Sequence, residues 1–292
     1  MLVRFLDVLI AGLVMGGIYA LAAMGLNLQY GVVRVLNMAH GDFIMLGGFA
    51  AFWLFTLLGI NPLLALLVCA PLMFALGLIV HRLVYQPLRV KAQSISSFEG
   101  YSILASYGLI FILQNLVIVS WGGRLKAYSY LASPVNIFGA IFAANRLVAL
   151  LLTAVISIGF YLFLSRTRTG KAIRAIAQDT EVAHLMGINV DRLYGLTFSL
   201  GAVLAGMAGV ILSTMFPVSA TMGFSYTLIA VVVIVLGGLG NILGGLVGGL
   251  VLGIVGAVVT DLQPGLVMVA FYVMFLAILL LKPTGIFGKQ GS

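Results

Sequence analysis

From Arg192 to Lys282 the sequence offers a single charged side chain between its ends, Asp261. A charge at the centre of a bilayer is expensive, whereas a soluble stretch of this length normally carries many. So long an uncharged run is a series of membrane helices, and Asp261-Leu262-Gln263-Pro264-Gly265 reads as a turn between two of them. The rest of the chain is built the same way. Of its 292 residues, 63% are hydrophobic and 8% charged, where soluble domains run about 45–50% and about 25%. At about 20 residues per spanning helix, the length has room for about eight to ten helices. The fold expected is all-α, a single polytopic transmembrane bundle over residues 1–292.

Uncharged stretches bounded by charges, Pro or turn residues mark nine spans, at roughly 8–29, 43–59, 62–80, 100–120, 147–164, 193–213, 226–240, 242–260 and 265–281. Arg4 before an apolar run ending in Ala20-Leu21-Ala22 has the look of a leader. Asp7 and the many spans that follow favour an uncleaved first helix. Threading nine spans leaves Arg34, Arg82, Arg89, Lys91, Arg166, Arg168, Lys171, Arg174, Arg192, Lys282 and Lys289 on one side, and Arg4, Arg124, Lys126 and Arg146 on the other. Cytoplasmic loops collect cations, so the first side is cytoplasmic and the N-terminus external. A broken or re-entrant segment near residues 30–48 would add a crossing. Two connections are too long to be turns: an external loop at 121–146, and a cytoplasmic loop at 165–192 that carries much of the charge.

Several function classes drop out. The net charge of +8 follows from those cytoplasmic cations, and no basic patch is interleaved with aromatics, so nucleic acid is excluded as a partner. Cys69 is the only cysteine and sits in an apolar run, which leaves no disulfide or thiol cluster. His40, His81 and His184 lack partners at metal-ligand spacing, and no nucleophile or paired-carboxylate arrangement is present. No metal, catalytic residue or cofactor is expected. Gly170-Lys171 and Gly288-Lys289 are followed by Ala and Gln, so neither ends a phosphate-binding loop. ATP-driven work would need a separate subunit. Glycines recur every four residues at Gly240, Gly244 and Gly248, and again at Gly245, Gly249 and Gly253. Gly201, Ala205 and Gly209 repeat the spacing. Such faces let helices approach closely, and they also suit helices that slide during transport.

Three segments stand apart. Tyr30 to Asp42 gathers Asn37, His40 and Asp42 at the start of the second span, where polar groups must be satisfied. Asn37 can cap a helix with Asp42 in its first turn, or the segment is a broken helix beside a translocation path. In the cytoplasmic loop, Asp179 or Thr180 can cap a short helix that Gly187 ends, with apolar Val182, Ala183, Leu185 and Met186 between them. A helix this short is marginal alone, and its apolar set suits docking into a partner's groove. Lys282-Pro283-Thr284-Gly285-Ile286-Phe287-Gly288 closes the last span.

Together with Gly16-Gly17-Ile18-Tyr19-Ala20-Leu21 and Leu236-Gly237-Gly238-Leu239-Gly240, these segments resemble the permeases of ABC-type high-affinity branched-chain amino-acid uptake systems, in order and spacing over nearly the whole chain. Gly170-Lys171-Ala172-Ile173-Arg174-Ala175 with Leu185-Met186-Gly187-Ile188-Asn189 resembles the family's cytoplasmic coupling loop, and Glu181, Val182, Ala183 and Gly187 correspond to its "EAA" motif, with Val182 in place of alanine. The resemblance implies a bacterial-type inner-membrane permease that pairs with a second, related permease, two cytoplasmic ATPase subunits and an external substrate-binding protein. It implies alternating access for a branched-chain amino acid, urea, an amide or another small polar solute, with Asp179, Glu181, Val182, Ala183, Leu185, Met186 and Gly187 coupling to the ATPase. An ion-coupled secondary transporter or channel is the alternative, with Asp42 and Asp261 its only membrane carboxylates.

Overall fold

The computed structural model describes residues 2–137 and 140–288. Among these, eight helical segments are long and apolar enough to cross a membrane: Val3–Val33, His40–Leu58, Pro62–Lys91, Ile95–Trp121, Ala144–Arg166, Val190–Ser213, Ile242–Leu262 and Pro264–Leu281. A ninth apolar helix, Met222–Gly237, is shorter. Helices α1 (Leu2–Leu28), α2 (His40–Leu58) and α3 (Pro62–Val80) are followed by α4 (Gln86–Lys91), which extends α3 through a π-helical turn at His81–Tyr85. Then come α5 (Ile95–Trp121), α6 (Ala144–Arg166), α7 (Arg168–Gln178), α8 (Thr180–Leu185), α9 (Val190–Ser213), α10 (Met222–Gly237), α11 (Ile242–Leu262) and α12 (Val267–Leu281). Lys289, counted above with the cytoplasmic cations, lies outside the described residues.

Most starts are made by short polar side chains that satisfy the free N–H groups of the first turn. Asn61 accepts from Leu63 N, Ser94 from Ser97 N, Thr167 from Gly170 N, Asn189 from Arg192 N and Asn241 from Gly244 N. The spanning helices are apolar on nearly all sides, as the interior or the lipid face of a membrane bundle requires. The connection between α5 and α6 holds a two-stranded antiparallel hairpin of β1 (Pro134–Ile137) and β2 (Ala140–Ala143), and Lys126 forms an isolated bridge with Val218. Above α2 and α5 lies an aromatic cluster, with Phe49 stacked on Trp121 at 5.4 Å and Phe55 4.9 Å from Tyr128. Such rings suit the water-lipid boundary.

The interior is set by glycine. α11 carries two small-residue faces. Gly244 and Gly248 meet Gly237 and Val233 of α10, while Gly249 and Gly253 meet Ala20 and Gly16 of α1. A Cβ on Gly249 would sit 2.5 Å from Ala20 Cα, so no larger residue keeps α1 and α11 at this separation. On α9, Gly201 faces the Gly25 carbonyl of α1 and Gly209 faces Ile44 of α2. The helices meet by close backbone approach, the main device available where lipid offers no hydrophobic drive. Cys69 packs in this interior, fully buried. α9 is the most enclosed of the spans and α12 the least. The chain after α12 folds back: Ile286 N donates to Leu236 O at 2.9 Å and Phe287 N to Gly237 O at 3.2 Å.

Candidate functional site

Two places combine unusual backbone with polar or exposed groups. The first is the break between α1 and α2. Helix α1 loosens into a π turn at Gln29–Val33, and Arg34 stops it in the left-handed region at φ 58°. The six residues 34–39 are non-helical, yet Val35, Asn37 and Ala39 are fully buried. His40, the first residue of α2, packs beside Gly25 of α1, which itself touches Gly201 halfway along α9. Helix α2 therefore begins deep in the bundle. So does α10: Gly41 N donates to Thr227 Oγ1 at 2.8 Å, and Gly223 lies against the Asp42 carboxylate. Irregular backbone at this depth is tolerated only inside protein, with its polar groups satisfied.

Asn37 provides that satisfaction, but not as a helix cap. The residue before α2 is Ala39, which makes no side-chain cap. Asn37 Oδ1 accepts from Ala39 N and from the Tyr85 hydroxyl, each at 3.1 Å, and its Nδ2 donates to Gln29 Oε1 at 3.3 Å. Gln29 Nε2 passes the chain on to the Phe198 carbonyl at 3.0 Å. One amide thus ties α1, the break, the turn after α3 and α9 together. His40 Nε2 lies 2.9 Å from Ala22 O; a carbonyl only accepts, so that nitrogen carries the proton. Asp42 Oδ1 accepts from Gln114 Nε2 at 3.2 Å. The carboxyl group is wholly buried and lies in the first turn of α2 against Gly223 in the first turn of α10. Asn37, His40 and Asp42 thus lie along one break, but none of them lines the cavities of about 500 and 700 Å³ at the two ends of the bundle. Gln29, Tyr85, Gln114 and Thr227 complete the network and were missed from sequence. The two glutamines, each near an asparagine (Asn27 and Asn115) in an otherwise apolar run, were the available signal.

The second place is the connection between α6 and α9, expected from the sequence to be cytoplasmic. Gly170 packs so tightly on Leu164 that a Cβ has no room, which folds amphipathic α7 back under α6 with Ile173 and Ile176 buried. Asp179 then caps α8 by accepting from Glu181 N at 2.9 Å and Val182 N at 3.0 Å. Gly187 turns the chain toward α9 at φ +80°, a conformation glycine adopts without strain. The apolar set divides. Ala183 is 3% exposed and packs on its own chain, whereas Val182, Leu185 and Met186 are 54%, 84% and 78% exposed. Ala183 is thus inward-facing, because a helix of six residues has one side against the bundle and one side out. Three apolar side chains thus project from this short, capped stretch between α6 and α9.

A family model described as branched-chain amino acid transport system, permease component, matches residues 8–281. The chain belongs to this family. The permease protein BraD of the high-affinity branched-chain amino acid transport system of Pseudomonas aeruginosa is 33% identical over 98% of this chain and 96% of its own. LivH of Escherichia coli K12, with the corresponding description, is 32% identical at the same coverage. A probable LivH of Methanocaldococcus jannaschii is 28% identical over 80% of this chain. Among solved structures, PsaBC from Streptococcus pneumoniae in complex with Fab shares the fold, with a TM-score of 0.53 over 97% of this chain at 14% identity. As a permease component this chain is a multi-pass membrane transport subunit and not an enzyme, and it works with ATPase and substrate-binding partners.

Proposed function

We propose that this permease component carries a branched-chain amino acid, or a solute of similar shape, across a bacterial-type inner membrane by alternating access. It pairs with a second, related permease, two cytoplasmic ATPase subunits and an external substrate-binding protein. The observation that carries the coupling half of this reading is the exposed trio Val182, Leu185 and Met186 on a helix capped by Asp179 and ended by Gly187. Such a helix is too short to persist on its own, and an amphipathic stub seated in a hydrophobic groove is a recurrent recognition mode. Closure of the ATPase pair pushes on α8, α7 transmits the push to α6 through the Gly170 corner, and the glycine faces of α11 let it shift against α1 and α10. Asn37, His40 and Asp42 act as positioning residues that hold the paired breaks of α2 and α10.

The test is Leu185→Glu, with Gly187→Val beside it. Leu185 is exposed and no spanning helix is touched, so both variants reach the membrane at the parent level. The ATPase subunits no longer co-purify with Leu185→Glu, and solute-linked ATP hydrolysis falls at least about tenfold, as loss of roughly 1.4 kcal/mol at the contact requires. In Gly187→Val a β-branched residue is forced to positive φ, and the same two readouts drop. Normal uptake with the ATPases bound in both variants would remove α8 from the coupling path.

A further inference from the structure

At the end of the bundle opposite α8, a cavity of about 500 Å³ opens between α1, α6, α11 and α12. It reaches from Asp7 down to Tyr19 along one face of α1, about 18 Å at the rise of an α-helix. Its walls are apolar, with Ala11, Val14 and Met15 on α1 and Gly253, Gly256 and Ala257 on α11. Three charged groups stand at its mouth: Asp7, Arg146 and Asp261. Asp261 is already committed, since Arg4 pairs with it at 2.9 Å. Asp7 and Arg146 are exposed and make no hydrogen bond or ion pair among the described residues.

One free carboxylate and one free guanidinium at the rim of a deep apolar funnel define a complementary guest. It carries an ammonium group and a carboxylate on one carbon and an aliphatic chain beyond them. We propose that this funnel is an external reception site for zwitterionic aliphatic amino acids. Arg146 takes the carboxylate, Asp7 takes the ammonium, and the side chain points down the cavity beside the α1–α11 seam. The inference rests on the permease reading and names the solute class on its external side. The volume falls within the range of small-molecule sites. Because both charges are wet, each contact is modest, and neither alone holds the guest measurably. The site is accordingly weak, with half-saturation in about the millimolar range, as suits a vestibule that passes its guest on.

The test uses the full chain with its companion subunits in right-side-out membrane vesicles, and reads chemistry rather than transport. Ala11→Cys places a thiol in the funnel wall, while native Cys69 is fully buried. Leucine at about 10 mM should slow modification of that thiol by a small membrane-impermeant reagent about fivefold, the ratio expected of millimolar binding. 4-Methylpentanoate and isoamylamine, which each lack one of the two charges, and glycine, which lacks the side chain, should leave the rate within about 1.5-fold of that without solute, since each forfeits one contact. Asp7→Asn and Arg146→Gln, added singly to the reporter, should abolish protection by leucine. The ligand series alone decides the matter if either substitution lowers the amount of protein. Absence of protection by leucine, or equal protection by the single-charge analogues, would overturn the site. ATPase subunits are assayed in the same vesicles: their presence with no protection faults this inference alone, and their absence faults the permease reading.

Discussion

Asn37 uses three of the four hydrogen-bonding positions of its amide inside the bundle, with two bonds accepted and one donated. Each buried polar group left without a partner costs about 1–3 kcal/mol, so removing this amide loosens Ala39 N, the Tyr85 hydroxyl and Gln29 at once. Asn37→Ala should lower uptake at least about tenfold, the rate equivalent of roughly 1.4 kcal/mol, with less than about a twofold loss of protein from the membrane. A parallel fall in both would make the residue purely structural. The cluster of Asn37, His40 and Asp42 was legible in the sequence because lipid tolerates so few polar groups. What each one does was not. A cap and an internal tie both call for Asn near a helix start, and only Gln29 and Tyr85, far apart in sequence, distinguish them. Ala183 teaches the same lesson, since composition gives an apolar set and only the docked helix divides it into an inner and an outer side.

At the scale of elements, spans were legible wherever hydropathy alone decides them. All nine predicted stretches fall within observed helices or overlap them closely. The boundaries moved where backbone, not composition, sets the end. The first span continues to Val33 through a π turn, and the third runs on through another to Lys91. Helix α7 and the external hairpin were not foreseen, because a charged loop and a polar one carry no span-scale signal. The glycine period was visible, and within α11 its partners are now assigned, α10 on one face and α1 on the other; Gly240, counted in that period, instead lies in the turn before α11 at φ +79° beside Gly31. Gly249→Leu should therefore lower the thermal stability of the detergent-solubilised protein by about 1–3 kcal/mol or more through overpacking. Gly108→Ala, on α5 with no atom near its added Cβ, should leave it unchanged or raise it by up to about 1 kcal/mol. Retention of native monodispersity after heating compares the two; equal behaviour would mean that α1 and α11 are free to separate.

For the whole molecule, the cation asymmetry argues that the end carrying α7 and α8 faces the cytoplasm. Cysteines at Ala127 or Ser129, both exposed in the external connection, should react with an impermeant reagent in intact cells, and one at the exposed Gln178 should not. Labelling of Gln178 from outside would invert the bundle and detach α8 from any cytoplasmic partner. Family membership makes this chain a permease component, and its use of ATP is the claim on which the roles of α8, the glycine faces and the reception funnel converge. Asp42, wholly buried with one oxygen unpartnered, is the residue an ion-coupled mechanism would have to use instead. The decisive measurement is leucine uptake into proteoliposomes containing this chain and its companion subunits, with external binding protein supplied. Internal ATP and imposed proton or sodium gradients are varied independently. Uptake that requires hydrolysable ATP and ignores both gradients is the predicted result; uptake driven by either gradient without ATP would contradict the account.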